Sequence, residues 1–273
     1  MESFWFAFGL TVIAGISTGI GSFMAFFTRK TNTKFLSLAL GFSAGVMIYV
    51  SMIEIFSKAQ DALIEALGFS KGSWITVISF FSGMLLIGLI DRFIPSGDNP
   101  HEVQKVEKIE ELEGIGSQGQ KSKDSHLLRM GMFTALAIAI HNFPEGLATF
   151  TAALKDPTLG VAITIAIAIH NIPEGIAVSI PIYYATGDRK KAFMYSFLSG
   201  LSEPLGALIG ALILAPFFND MVFGILFASV AGIMVFISLD ELLPAAREYG
   251  EHHLSIYGVI AGMVVMAISL LLT

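Results

Sequence analysis

The sequence predicts an all-α integral membrane protein with eight transmembrane helices in a 3+2+3 inverted-repeat arrangement. Three observations carry that expectation: a composition too apolar for a water-soluble domain, eight apolar stretches of spanning length, and a self-similarity that pairs the first three stretches with the last three. Of 273 residues, 54% are hydrophobic and 14% charged, where a soluble domain carries roughly a quarter charged. The mean hydropathy is +0.74, which belongs to the membrane class. Cysteine is absent, which excludes disulfides and thiolate metal sites. The net charge is −6 with no basic stripe, so nucleic acid is not an expected partner. Met1-Glu2-Ser3 has no basic n-region, and no cleavable signal peptide is expected.

A spanning helix needs about 20 mostly apolar residues. In chain order the qualifying stretches are 4–27, 36–56, 74–94, 127–153, 160–185, 192–214, 221–243 and 254–273. The longer ones have room to tilt or protrude. The polar segment at about 95–126 runs from Pro95 through Glu110, Glu111, Gly116 and Gln118 to Lys123. It has few large apolar residues and predicts a flexible loop. Residues 1–273 therefore read as one transmembrane domain.

The basic residues set the orientation. Odd-numbered connections hold Arg29, Lys30, Lys34, Arg92, Lys105, Lys108, Lys121, Lys123, Arg129, Arg189, Lys190, Lys191 and Arg247, which is 13 of the 16. Even-numbered connections hold Lys58, Lys71 and Lys155. The odd connections, including the 95–126 loop, are thus expected in the cytoplasm, with both termini outside.

Internal repeats define the architecture. Ala139-Ile140-His141-Asn142-Phe143-Pro144-Glu145-Gly146 in the fourth stretch returns 29 residues later as Ala168-Ile169-His170-Asn171-Ile172-Pro173-Glu174-Gly175. Ala44-Gly45-Val46-Met47 aligns with Ala231-Gly232-Ile233-Met234, placing Ser51 on Ser238 and Glu54 on Glu241. Gly15-Ile16-Ser17-Thr18-Gly19-Ile20-Gly21 aligns with Gly200-Leu201-Ser202-Glu203-Pro204-Leu205-Gly206. Gly83-Met84 against Gly262-Met263 is the thinnest match. Three is odd, so the second triplet crosses the membrane in the opposite sense. Inverted repeats around a midplane site are a transporter signature, although small residues recur in all packed membrane helices.

The duplicated motif carries the chemistry. His and Glu four apart share one helix face, so His141 points with Glu145 and His170 with Glu174. Asn142 and Asn171 sit about 100° round the helix and add carbonyl oxygens. Pro144 and Pro173 free the carbonyls of Ile140 and Ile169, opening polar backbone where protein or water must line it. A carboxylate at helix centre costs roughly 2.5–3.5 kcal/mol; Glu145, Glu174 and Glu203 together cost on the order of 10 kcal/mol. A proton or a bound cation relieves that cost. Two imidazoles with carboxylates suit zinc, iron, manganese and similar ions.

Other candidates are less sharp. Glu203, mid-stretch and followed by Pro204, is a direct or water-bridged ligand, and its repeat partner is Thr18. Glu54, near the outer end of the second stretch, is either solvated or on the ion's path inward. Met47, seven residues before it on the same face, is either a soft ligand or packing. His252 and His253, with Asp240, Glu241, Glu248 and Glu251, form either a release site or a wetted interface. Asp91-Arg92 reads as an interfacial ion pair, and His101 and His126 as scattered loop residues.

The two HNxPEG motifs, the eight helices and the outside termini resemble the ZIP (Zrt/Irt-like) metal transporters, and most of all their bacterial ZupT-like branch. Leu239-Asp240-Glu241-Leu242-Leu243-Pro244 is also similar to that family. The resemblance covers essentially the whole chain. It implies a single transporter domain in the inner cell membrane. That domain imports zinc, and often iron, manganese, cobalt or cadmium, as transported ions with no resident cofactor. It implies a binuclear site: one position from His141, Glu145, His170 and Glu174, with Met47 a further candidate; the other from Asn142, Asn171, Glu203 and the shared Glu145 and Glu174. It also implies an elevator-like movement of four helices against a scaffold. The histidine-rich loop of many relatives is reduced here to His101 and His126. The expected partners are divalent ions and the bilayer, and a homodimer is compatible with the sequence.

Rival classes leave different signatures. Carboxylate-histidine di-metal enzymes use Glu-x-x-His and metalloproteases His-Glu-x-x-His, whereas this chain has His-x-x-x-Glu, so an enzyme is not expected. A channel needs ligands that release readily. A purely structural metal site leaves the inverted repeat and the proline-broken helices without a use.

Overall fold

Apolar runs punctuated by capping residues fold into helices, and the caps decide where the chain turns. A computed structural model describes residues 2–25, 33–93, 117–214, 217, 219–249 and 252–272. Side chains at 117–131, and those of Asp91, His141, Glu248 and His252, lie outside the described set, as do His101 and Glu251 entirely. Among the described residues every regular element is a helix. The elements are α1 (Glu2–Ala25); α2 (Thr33–Tyr49, a π-helical segment Val50–Ile55, and Phe56–Leu67); α3 (Phe69–Phe93); α4 (Ser117–Lys155); α5 (Pro157–Thr186); α6 in two parts (Arg189–Gly200 and Ser202–Leu214); α7 (Asp220–Ile237, a second π-helical segment Ser238–Leu242, and Leu243–Tyr249); and α8 (His252–Leu272).

Seven described segments are long and apolar enough to cross a membrane: Glu2–Phe23, Ser37–Leu67, Phe69–Ile90, Pro157–Ile180, Arg189–Ile213, Asp220–Leu242 and His253–Leu271. This is a multi-pass membrane protein. The expected fourth span, 127–153, falls within α4, which is not among the seven. Helix α4 also begins at Ser117, inside the segment expected as a loop. Trp74, Phe81 and Leu85 on α3, with Tyr257, Ile260 and Val264 on α8, are exposed and suit contact with lipid.

The turns follow local chemistry. Gly68, at φ +81°, joins α2 to α3 in a conformation that favours glycine. Asp156 caps α5 by accepting from the N–H of Thr158 at 2.9 Å, and Pro157 takes the first helical position, where its missing N–H costs nothing. So α4 and α5 form a tight antiparallel hairpin. Asn219 caps α7 by accepting from the N–H of Val222 at 3.0 Å.

Helix α6 was expected as one continuous span with Glu203 in its middle; instead the helix breaks at Leu201. Pro204 has no N–H for the Gly200 carbonyl, and its ring crowds that position. Glu203 therefore stands in the first turn of Ser202–Leu214, where unpaired N–H groups and the helix dipole favour a carboxylate.

Small residues let the helices touch backbone to backbone. In one group, a Cβ on Gly21 would strike the Ile172 carbonyl, and one on Gly175 the Thr18 carbonyl, which joins α1 to α5. Gly146 meets the Glu203 carbonyl and Gly206 that of Phe143, which joins α4 to α6. In the other group, Gly45 abuts Val259 and Gly262 abuts Phe42, between α2 and α8. Gly232 abuts Phe80 and Gly83 abuts Ser229, between α7 and α3.

Candidate metal centre

The polar residues that the bilayer would reject gather where these helices cross. Asn142, Glu145, His170, Asn171, Glu174 and Glu203 are all buried to 1% exposure or less. Helices α4 and α5 supply the first five, and the second part of α6 supplies Glu203.

His170 and Glu145 meet across the hairpin, with Nε2 3.3 Å from Oε2. The other ring nitrogen, Nδ1, lies 3.1 Å from the carbonyl oxygen of Ala166. A carbonyl only accepts, so Nδ1 carries the proton and donates it there. A neutral ring then turns a bare Nε2 toward a carboxylate. Two lone pairs cannot face each other at that distance, so a proton or a cation belongs between them. A metal-binding histidine usually donates its second N–H to a carbonyl in this way. Two ligands of tetrahedral zinc, one nitrogen and one oxygen, stand about 3.4 Å apart, which this pair matches.

A second pairing joins α5 to α6. The Asn171 amide donates to Glu203 Oε1 and, at 3.1 Å, to the carbonyl of Ala14 on α1. The Glu203 carboxylate lies near those of Glu145 and Glu174. Glu145 Oε1, Asn171 Oδ1, Glu203 Oε2 and both amide atoms of Asn142 are buried and find no hydrogen-bond partner among the described residues. Each such atom costs about 1–3 kcal/mol. Collected carboxylates with unpaired oxygens are the electrostatics of a site built for positive charge.

The pairs stay separate: among the described residues no three His, Asp or Glu side chains converge closely enough to hold one ion. The His141 side chain lies outside that set. Met47 is fully buried within the apolar core. Glu54 is partly buried and lies 3.9 Å from Lys58. His253 is exposed and stacks on Tyr257, and the His252 side chain is outside the described residues.

Two features escaped the sequence reading. Ser43 on α2 donates to the His170 carbonyl at 3.2 Å, binding the second helix group to the site; a lone serine in a helix gives no local signal of this. The α6 break did have one, because Ser202-Glu203-Pro204 has the composition of a helix start.

Apolar helices wrapped round buried imidazole, amide and carboxylate groups define a multi-pass membrane protein whose polar centre has the donor types of a divalent-metal site. The chain belongs to the ZIP zinc transporter family, whose sequence profile matches residues 3–270. It is 66% identical over 272 residues to the zinc transporter ZupT of Oceanobacillus iheyensis, covering 100% of this chain and 99% of that protein. It is 64% identical over 277 residues to the zinc transporter ZupT of Clostridium perfringens, covering 100% and 97%. Against the zinc transporter ZupT of Lysinibacillus sphaericus it is 65% identical over 266 residues, covering 97% of each.

Proposed function

We propose that this protein is a secondary transporter that imports divalent metal ions, zinc foremost, through a two-position site formed by α4, α5 and α6. Iron, manganese, cobalt and cadmium are further substrates on the same donor chemistry. It belongs to a family of transporters and is not an enzyme. The observation that carries the reading is the buried His170–Glu145 pair at 3.3 Å. Its ring nitrogen and carboxylate oxygen stand at a spacing that either a proton or one zinc ion can bridge.

The first position comprises His141, Glu145, His170 and Glu174. The second comprises Asn142, Asn171 and Glu203 with the shared carboxylates. A hydrated ion arriving from outside exchanges its water for these groups and displaces any proton between His170 and Glu145, because metal and proton compete for the same lone pairs. Asp240, Glu241, His252 and His253 then receive it on the cytoplasmic side. The basic connections support an inner-membrane protein with both termini outside and the 95–126 segment in the cytoplasm.

Eight spans in a 3+2+3 inverted repeat complete the proposal, with α4 as the eighth. The packing supports it. A shift of 185 residues carries Thr18 to Glu203 and Gly21 to Gly206, and a shift of 29 carries Phe143 to Ile172 and Gly146 to Gly175. The α1–α5 contacts, Gly21 on Ile172 and Gly175 on Thr18, thereby become the α4–α6 contacts, Gly206 on Phe143 and Gly146 on Glu203. Gly15 and Gly200, which correspond, touch each other. A shift of 187 carries Gly45 to Gly232 and Phe42 to Ser229, while 179 carries Phe80 to Val259 and Gly83 to Gly262. The α2–α8 contacts thus become the α7–α3 contacts. The two π-helical segments also correspond, with Ser51 on Ser238. Alternating access by one helix group moving against the other follows from such an arrangement.

The test is zinc flux into sealed proteoliposomes carrying an interior zinc-sensitive dye, comparing the wild type with Glu174→Ala at equal incorporation. Saturable flux that is lost in the variant is expected. Wild-type flux retained by Glu174→Ala would remove that residue from the site.

A further inference from the structure

The geometry points to Thr18, on α1, as a further wall of the metal site: a neutral oxygen that completes an all-oxygen subsite with Glu203 and Asn171 and favours harder, oxygen-preferring divalent ions. The inference rests on the transport reading above.

Thr18 is fully buried, and its hydroxyl has no hydrogen-bond partner among the described residues. That is unusual for a helical threonine. Such a hydroxyl ordinarily returns to the carbonyl three or four residues earlier, here Gly15 or Ala14. The Ala14 carbonyl already accepts from the Ser17 hydroxyl and from the Asn171 amide. The Gly15 carbonyl is pressed against Gly200 of α6. The Thr18 hydroxyl bonds to neither carbonyl.

Three helices fix where the hydroxyl sits. The Thr18 carbonyl packs on Gly175 of α5, one turn from Asn171. The hydroxyl itself faces α6, since a Cβ added to Gly200 would lie 2.9 Å from Thr18 Oγ1. Gly200 is three residues from Glu203. Glu203 Oε2 and Asn171 Oδ1 are likewise buried without hydrogen-bond partners. Three buried oxygens without hydrogen-bond partners thus stand on three helices that are joined here by the Gly15–Gly200 and Gly175–Thr18 approaches and by the Asn171–Ala14 hydrogen bond, and we read them as lining one place for a cation or its bound water. In the internal repeat Thr18 stands where Glu203 does, so a neutral oxygen takes the place of a charged one.

The chemistry predicts a division of labour. Imidazole at His170 suits zinc, whereas a subsite of carboxylate, amide and hydroxyl oxygens suits ions such as Mn2+, which retain water and prefer oxygen. Removing the Thr18 hydroxyl therefore penalises Mn2+ more than Zn2+.

The experiment measures Mn2+ and Zn2+ flux into proteoliposomes for the wild type, Thr18→Val and Thr18→Ser, at equal incorporation. Thr18→Val keeps the shape without the hydroxyl, and Thr18→Ser keeps the hydroxyl. A several-fold fall in the Mn2+ to Zn2+ flux ratio for Thr18→Val, restored by Thr18→Ser, is expected. An unchanged ratio, or an equal loss for both ions, overturns the role. Absence of flux for both ions in the wild type overturns the transport reading and this one with it, whereas Zn2+ flux without Mn2+ flux overturns this one alone.

Discussion

The backbone of Glu203 lies against Gly146 so closely that no side chain fits between α4 and the second part of α6. That contact seats the Glu203 carboxylate beside the HNxPEG hairpin. Gly146→Ala would gain helix propensity of about 1 kcal/mol but overpacks a backbone contact, which costs about 1–3 kcal/mol and displaces Glu203. Lower thermal stability together with lower zinc flux is expected. Gly9→Ala, where nothing lies within 4 Å of the added carbon, serves as the control: it should leave zinc flux unchanged and should hold or raise thermal stability, since it gains helix propensity without a clash.

Removing either side of the His170–Glu145 pair should weaken zinc binding beyond the roughly 10–100-fold cost of disturbing a group merely adjacent to a ligand. Titration of His170→Ala and Glu145→Gln with zinc in detergent, followed by flux, checks this. Wild-type affinity in both variants would remove the pair from the site.

Lys155, at the α4–α5 turn, pairs with Asp220 of α7 at 2.8 Å, and its ammonium lies 4.7 Å from the Phe223 ring centre. This ties the two helix groups together at one end of the molecule. The pair is partly exposed, so it contributes at most about 1 kcal/mol. Asp220→Asn should therefore change the maximal transport rate by less than about five-fold, with the half-saturating zinc concentration unaltered. A large shift in half-saturation would mean that the pair acts on binding and not on movement.

The absence of cysteine makes orientation directly measurable. In intact cells, Lys71→Cys should react with a membrane-impermeant maleimide, while Lys190→Cys should react only after permeabilisation. The reverse pattern would invert the orientation read from the basic residues.

The elements of this protein were legible because each is written locally. Apolar length marks the spans, Asp156-Pro157 marks the start of α5, and the repeated HNxPEG marks the functional hairpin. A carboxylate in an apolar run is expensive wherever the helix packs, so Glu145, Glu174 and Glu203 could be singled out without any contact map. The break at Leu201 was readable in principle from Ser202-Glu203-Pro204, but the apolar stretch on either side masked it.

Composition and repetition alone determined a membrane protein with a buried imidazole-carboxylate centre. Tertiary structure decided which of those groups meet. His170 chooses Glu145 on the neighbouring helix, Asn171 chooses Glu203 across 32 residues, and Ser43 reaches the His170 carbonyl across 127. The Thr18 hydroxyl is buried without a hydrogen-bond partner only once α5 and α6 have packed against α1. Helical periodicity fixes the face on which a residue stands. Partners at that face are set by backbone approaches at Gly146, Gly175 and Gly200, and these exist only once the helices have packed.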